Sequence, residues 1–205
     1  MQDVIVNEVK KLISVLENAY LNHELLSIVE KITQHCIHAL QNKHKILFAG
    51  NGGSAADSQH LAAELVSRLC YNRPGLAAVA LTTDTSALTA IGNDYGYENL
   101  FSRQIEAIAQ PGDVFIAIST SGKSPNIIKA LQVARDKGVI TIGLTGAHPN
   151  KMADDCDIVL SVPSTETPKI QECHITFGHI ICMLIEESIY GAEYNPLRQT
   201  QKVAV

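Results

Sequence analysis

KILFAGNGGSAADSQHLAAEL, residues 45–65, decides the reading of the fold. A short apolar run, KILFAG, enters a glycine-rich bend at Asn51, Gly52, Gly53 and Ser54, and the chain leaves it as a helix carrying His60 and Glu64. A strand, a tight turn and a helix in that order open a β-α-β unit. The same grain recurs downstream, where LAAVALTT, DVFIAIS, VITIGLTG and DIVLSVP alternate with helical stretches. Five candidate strands in a βα series predict an α/β fold, a parallel sheet covered by helices on both faces.

Upstream of this series, residues 1–20 and about 23–42 place apolar side chains at three- and four-residue spacing (Val6, Val9, Leu12, Ile13; Leu25, Ile28, Val29, Ile32). That spacing predicts two amphipathic helices ahead of the first strand. Residues from 167 to about 191 return to helical periodicity through Ile170, Ile175, Ile180, Ile181, Leu184 and Ile185. No repeat, low-complexity tract or Pro/Ser-rich linker divides the chain, so residues 1–205 read as one domain with an N-terminal helical extension at about 1–42. The tail after Tyr190 reads as an extension or an interface element.

The formal net charge of −5 argues against a nucleic-acid surface, which needs clustered Lys and Arg. An anionic ligand must therefore be held locally. The N-terminus carries charges throughout, and no apolar run reaches about 18 residues, which speaks against a secretory signal or a membrane span and for a cytoplasmic location. Five cysteines, Cys36, Cys70, Cys156, Cys173 and Cys182, lack any Cys-x-x-Cys spacing and lie in apolar segments. They read as buried, reduced thiols.

Ligands of open parallel sheets bind outside the carboxyl ends of the strands, so the loops after strands carry the functional signal. Two are glycine-rich. KILFAG runs into residues 51–54, and DVFIAI runs into Ser119, Thr120, Ser121, Gly122, Lys123 and Ser124, with Pro125 at the favoured first position of a helix. Hydroxyls gathered at a helix N-terminus suit a phosphate monoester. A helix terminus contributes only ~0.3–1 kcal/mol when exposed, so several hydroxyl and amide bonds must act together. The same residues would also serve simply to end a strand and cap a helix. Neither loop has the Walker or the dinucleotide-binding spacing, which demotes ATP and NAD.

His60 and Glu64, four residues apart, project from one helix face, and Gln171 and His179 share a stripe of the last helix. Two imidazoles, a carboxylate and an amide oxygen would form a divalent-metal site, with Gln as the uncommon member. The same groups could work without metal, Glu64 as a base at a carbon beside a carbonyl and His179 as an acid at its oxygen. His174, Glu172, Glu186 and Glu187 read as surface or hydrogen-bonded residues, as do His23, His35, His38, His44 and His148. Asn93 and Asp94, in IGNDYGYE, read as a polar turn after an apolar helix, able to reach sugar hydroxyls or simply to end the helix.

Taken together, GNGGSAADSQHLAAEL, LTTDTSALTAIGNDYGYENLFSRQ, GDVFIAISTSGKSPN, VITIGLTG and IQECHITFGHIIC resemble the phosphoheptose isomerase family, in order from about residue 45 to 186. The resemblance implies a sugar isomerase (SIS) domain, a flavodoxin-like three-layer sandwich with a five-stranded parallel sheet. It implies a cytoplasmic homotetramer with sites between subunits, interconverting sedoheptulose 7-phosphate and D-glycero-D-manno-heptose 7-phosphate on the route to lipopolysaccharide heptose. Residue by residue it implies Asn51, Gly52, Gly53 and Ser54 in the first substrate turn, Ser119, Thr120, Ser121 and Ser124 in the phosphate loop, and Asn93 and Asp94 at the sugar. Glu64 and His179 match base and acid, and His60, Glu64, Gln171 and His179 match ligands of one zinc per subunit. Lys123 departs from the neutral Asn common there, and the loop at 147–151 departs from a glycine-rich form. Two other readings remain: a non-enzymatic relative that binds the replication initiator DnaA but lacks the full set of His60, Glu64 and His179, and another SIS enzyme such as an arabinose 5-phosphate isomerase or a sugar-phosphate etherase.

Overall fold

The computed structural model describes residues 1–149 and 151–198. Two helices, α1 (Gln2–Tyr20) and α2 (His23–Gln41), precede the sheet, within a residue or two of the expected limits. Asn22 separates them by capping α2, its side chain accepting from the Leu25 N–H at 3.1 Å. The sheet then alternates with helices: β1 (Ile46–Gly50), α3 (Gly53–Val66), β2 (Ala78–Ala80), α4 (Thr85–Tyr95), α5 (Ser102–Ile108), β3 (Val114–Ile118), α6 (Pro125–Asp136), β4 (Ile140–Gly146), β5 (Ile158–Val162) and α7 (Thr167–Tyr194).

All neighbouring strands are parallel, in the order β2-β1-β3-β4-β5. This is the flavodoxin-like arrangement, and its order reverses between β1 and β3. Successive side chains of a strand point to opposite faces. Ile46, Phe48, Ile116 and Ile118 accordingly join a core with α2, α3 and α7, while Leu47, Ala49, Phe115 and Ala117 join another with α5 and α6. The three layers predicted from the sequence are present.

Several details differ from expectation. β2 pairs only over Ala78–Ala80, because it is an edge strand and Val79 is partly open to solvent. α7 runs three residues beyond Gly191, to Tyr194, and the part of the expected tail at 199–205 lies outside the described residues. On α1, Leu12 packs against the core, but Val6, Val9 and Ile13 are exposed. All five cysteines are free; Cys36, Cys173 and Cys182 are buried as expected, Cys156 is half-buried, and Cys70 is exposed in the loop after α3. Burial pushes the Cys156 and Cys182 thiols up to about 12, so neither is a thiolate at neutral pH. No helix among the described residues is long and apolar enough to cross a membrane.

Candidate active site

Gly50 and Ile118, the last residues of β1 and β3, are register partners. The two glycine-rich loops therefore leave the sheet side by side at the switch point. Gly52 has φ +57°, a conformation that side chains disfavour, and it brings the chain directly into α3. No side chain caps α3, and none caps α6, where the Ser124 hydroxyl instead meets Ser119 Oγ at 3.0 Å. Ser121 Oγ accepts from the Lys123 N–H at 3.3 Å, and the Thr120 carbonyl accepts from Gly146 N–H at 3.1 Å. Two helices without side-chain caps thus begin at this edge, and the positive dipole end of a helix favours an anion. Ser54 is buried in the first turn of α3, where its N–H closes the bend onto Asn51 O.

The loops are also stitched together. Asn51 and Asn126 exchange reciprocal amide hydrogen bonds of 2.9 Å, and Tyr97 OH donates to Asn51 Oδ1 at 2.9 Å. Sequence reading missed both partners, because neither has a local signal. Beside this link lies a cleft of about 120 Å³ lined by Asn51, Gly52, Thr82, Tyr97 and Phe101, among others. Asn93 and Asp94 follow the helix-end reading rather than the turn reading. They sit inside the last turn of α4, exposed, with Asn93 Nδ2 donating to Asp94 Oδ1 at 2.7 Å.

On the other side of the first turn, α3 and α7 bring the expected donors together. His60 Nε2 stands 2.8 Å from His179 Nε2 and 3.1 Å from Glu64 Oε1, and the three donor atoms lie within 4.8 Å of one another. Gln171 is placed against the glycine turn, where a Cβ built on Gly53 would come within 2.7 Å of its Nε2. A side chain there would displace the Gln171 amide from the turn. Asp57, one turn before His60, adds a carboxylate that sequence reading passed over. Its Oδ2 is buried without a hydrogen-bond partner; burial raises its pKa, while the nearby His60 and His179 pull it down.

The donor set fits a divalent cation. Donors sharing one tetrahedral zinc stand ~3.3 Å apart, so the His60–His179 and His60–Glu64 pairs, at 2.8 and 3.1 Å, need to spread by only a few tenths of an ångström. The orphaned Asp57 oxygen beside the imidazoles is a further mark of a place suited to positive charge. Borderline imidazole and carboxylate donors suit zinc better than magnesium or calcium.

Fold and site together define a flavodoxin-like α/β protein with two glycine-rich loops and helix N-termini at the sheet's switch point, next to the cluster of His60, Glu64 and His179. A family model described as SIS domain matches residues 9–146. A phosphoheptose isomerase of Aneurinibacillus thermoaerophilus is 57% identical over 194 residues, 95% of this chain and 98% of that protein. One from Burkholderia pseudomallei (strain 1710b) is 53% identical over 189 residues, 92% of this chain and 96% of that protein. The solved phosphoheptose isomerase of Neisseria gonorrhoeae is 42% identical and superposes with a TM-score of 0.85, covering 91% of this chain and 98% of its own. The chain belongs to the phosphoheptose isomerase family of SIS-domain proteins and is an isomerase enzyme.

Proposed function

We propose that the protein interconverts sedoheptulose 7-phosphate and D-glycero-D-manno-heptose 7-phosphate through a cis-enediol. The observation that carries this reading is the convergence of His60, Glu64 and His179 next to the glycine turn. The phosphate docks at Ser119, Thr120, Ser121 and Ser124, on the open N-terminus of α6. The sugar lies along Asn51, Gly52, Gly53, Ser54 and Gln171. Asn93 and Asp94 precede the Tyr97 wall of the cleft and serve the far end of the sugar.

Glu64 removes a proton from C1 of the ketose while His179 donates one to the C2 carbonyl oxygen. The resulting enediol loses the proton on O1 and receives the carbon proton back at C2, giving the aldose. Each acid–base role is worth about 10²–10⁴-fold. His60, Glu64, Gln171 and His179 would hold one zinc per subunit, which when bound would polarise the carbonyl and offset charge on the developing enediolate. Glu64 turns Oε1 toward His60, which leaves Oε2 as the proton acceptor.

The protein works in this reading as a cytoplasmic homotetramer supplying heptose for lipopolysaccharide or related glycoconjugates. The exposed apolar side chains of α1, Val4, Ile5, Val9 and Ile13, support self-association. The complete set of His60, Glu64 and His179 speaks against the DnaA-binding regulator.

A coupled assay with sedoheptulose 7-phosphate tests the proposal. Glu64→Gln and His179→Ala should each lower kcat by about 10²-fold or more, and dialysed protein should recover activity with added zinc. Native rates in Glu64→Gln would remove the base assignment. No turnover by native protein, together with DnaA binding, would favour the regulator.

A further inference from the structure

We infer that the buried pair of Arg73 and Glu186 is a positioning device for the active site, fixing the end of α3 that bears Glu64 against the helix that bears His179. This rests on the isomerase reading above. Neither residue hydrogen-bonds a candidate donor side chain; Arg73 reaches only the backbone of Glu64. Both side chains are almost fully buried, at 0% and 1% exposure, and Arg73 Nε donates to Glu186 Oε1 at 2.8 Å.

Each group is fully engaged. Arg73 Nη2 donates to the carbonyl of Glu64 itself at 2.8 Å, and Nη1 donates to Leu65 O at 2.7 Å, Pro74 O at 3.0 Å and Ser67 O at 3.2 Å. The last carbonyls of a helix have no partner within it and carry its negative dipole end. The guanidinium supplies both hydrogen bonds and charge there, and so fixes the turn from which the Glu64 side chain projects. Glu186 holds the opposite side of the loop, accepting from Leu69 N–H at 3.1 Å and Cys70 N–H at 2.7 Å. On α7, Glu186 lies seven residues, two turns, after His179.

The pair therefore ties the carbonyl of the proposed base to the helix of the proposed acid through one rigid fork. A planar guanidinium is suited to this because its donors are fixed relative to one another, whereas a lysine ammonium is a single flexible point. Charges taken wholly out of water bring little net stability, because desolvation offsets their attraction. A gain in geometry is the physical reason left for keeping them.

The test compares native enzyme, Glu186→Gln and Arg73→Lys. Far-UV circular dichroism and Tm report folding, the sugar-phosphate assay gives kcat and KM separately, and visible absorption follows Co²⁺ titrated into metal-stripped protein. Partners that orient metal-binding or reacting groups typically change affinity or activity by about 10–100-fold. Folded variants should lose about that much in Co²⁺ affinity and in kcat, with KM within about twofold. Folded variants with a lower Tm but native Co²⁺ affinity and kcat would overturn the inference and leave the pair a fold anchor only. If Glu186→Gln does not fold, Arg73→Lys, which keeps the buried charge balanced, decides. Glu64→Gln is run in parallel: if it is fully active the base assignment fails, while Co²⁺ affinity still reports donor geometry. If native protein binds no Co²⁺, the split between kcat and KM decides.

Discussion

Adding one methyl group at Gly178 should separate the two halves of the site while leaving most of the fold's stability intact. Gly178 immediately precedes His179 on α7, and Leu61 immediately follows His60 on α3. A Cβ built on Gly178 would lie 2.7 Å from both Leu61 methyl carbons and 3.2 Å from Leu61 Cγ. Carbon atoms pack best at about 3.5–4.0 Å, so Gly178→Ala demands ~1 Å of extra room. Leu61 is 2% exposed, and the gap beside it, lined also by Phe48, Ile116 and Cys182, holds only about 10 Å³. The leucine cannot simply swing away, so the helices must part.

Two energies oppose each other in this variant. Alanine in a helix interior is favoured over glycine by about 1 kcal/mol, and overpacking costs about 1–3 kcal/mol. The net loss lies between nothing and about 2 kcal/mol, a fall in Tm of at most about 8 °C for a chain of this size. Catalysis is more sensitive, since a 1 Å misplacement can cost about 10²-fold. Thermal denaturation and steady-state kinetics on the sugar phosphate should thus show a small change in Tm beside a kcat lowered by about 10–100-fold. Shortening the obstructing side chain in Leu61→Val/Gly178→Ala should restore part of the rate. A kcat for Gly178→Ala within twofold of native, or no recovery in the double variant, would refute the argument from helix spacing.

Two further outcomes are expected. His174 is fully buried, with its Nε2–H donated to Thr145 O at 3.2 Å and Nδ1 unpartnered, and burial pushes its pKa down to about 4. The unfolded chain takes up a proton near pH ~6.5 and the native state does not until about pH 4, so stability is full above the first value and declines as pH falls towards the second. About 3 kcal/mol is at stake, and urea titrations across that window should show a flatter dependence in His174→Gln, which keeps the donor without the charge; an unchanged slope would discard the assignment. Asn126→Ala should cost about 1–3 kcal/mol by leaving the Asn51 amide without its partner, and should raise KM more than it lowers kcat; an unchanged KM would mean that the amide pair does not shape the substrate turn.

The layers and most helix limits can be read directly from the chain, because the apolar positions of α1, α2 and α7 repeat at helical spacing and the strands are near-continuous apolar runs. His60 and Glu64 are equally legible, since local helical geometry alone puts them on one face. Their meeting with His179 depends on the crossing of α3 and α7, which no local pattern reveals. Asn126 and Tyr97 are not legible, because a side-chain amide gains its role from a partner 75 residues away and a tyrosine hydroxyl from one 46 away. Glu186 fits its plain reading as a hydrogen-bonded residue, but no local pattern points to Arg73, 113 residues away. For Asn93 and Asp94 the chain left two readings open, and the helix-end one describes their place, in the last turn of α4 before Gly96, whose φ of +85° ends it.

His60 and His179 touch across 119 residues of chain, and that separation has a consequence for the order of events in the cell. During synthesis, α3 emerges with most of the sheet still unmade, and of the four proposed ligands it carries only His60 and Glu64. Closing so long a loop is slow and comes late, after local helices and neighbouring strands have formed. A nascent chain stalled before α7 would have strands and a phosphate loop but only two of the four proposed metal ligands. Activity should therefore be the last property to return on refolding, trailing the recovery of helix signal, and metal added early should do little to hasten it.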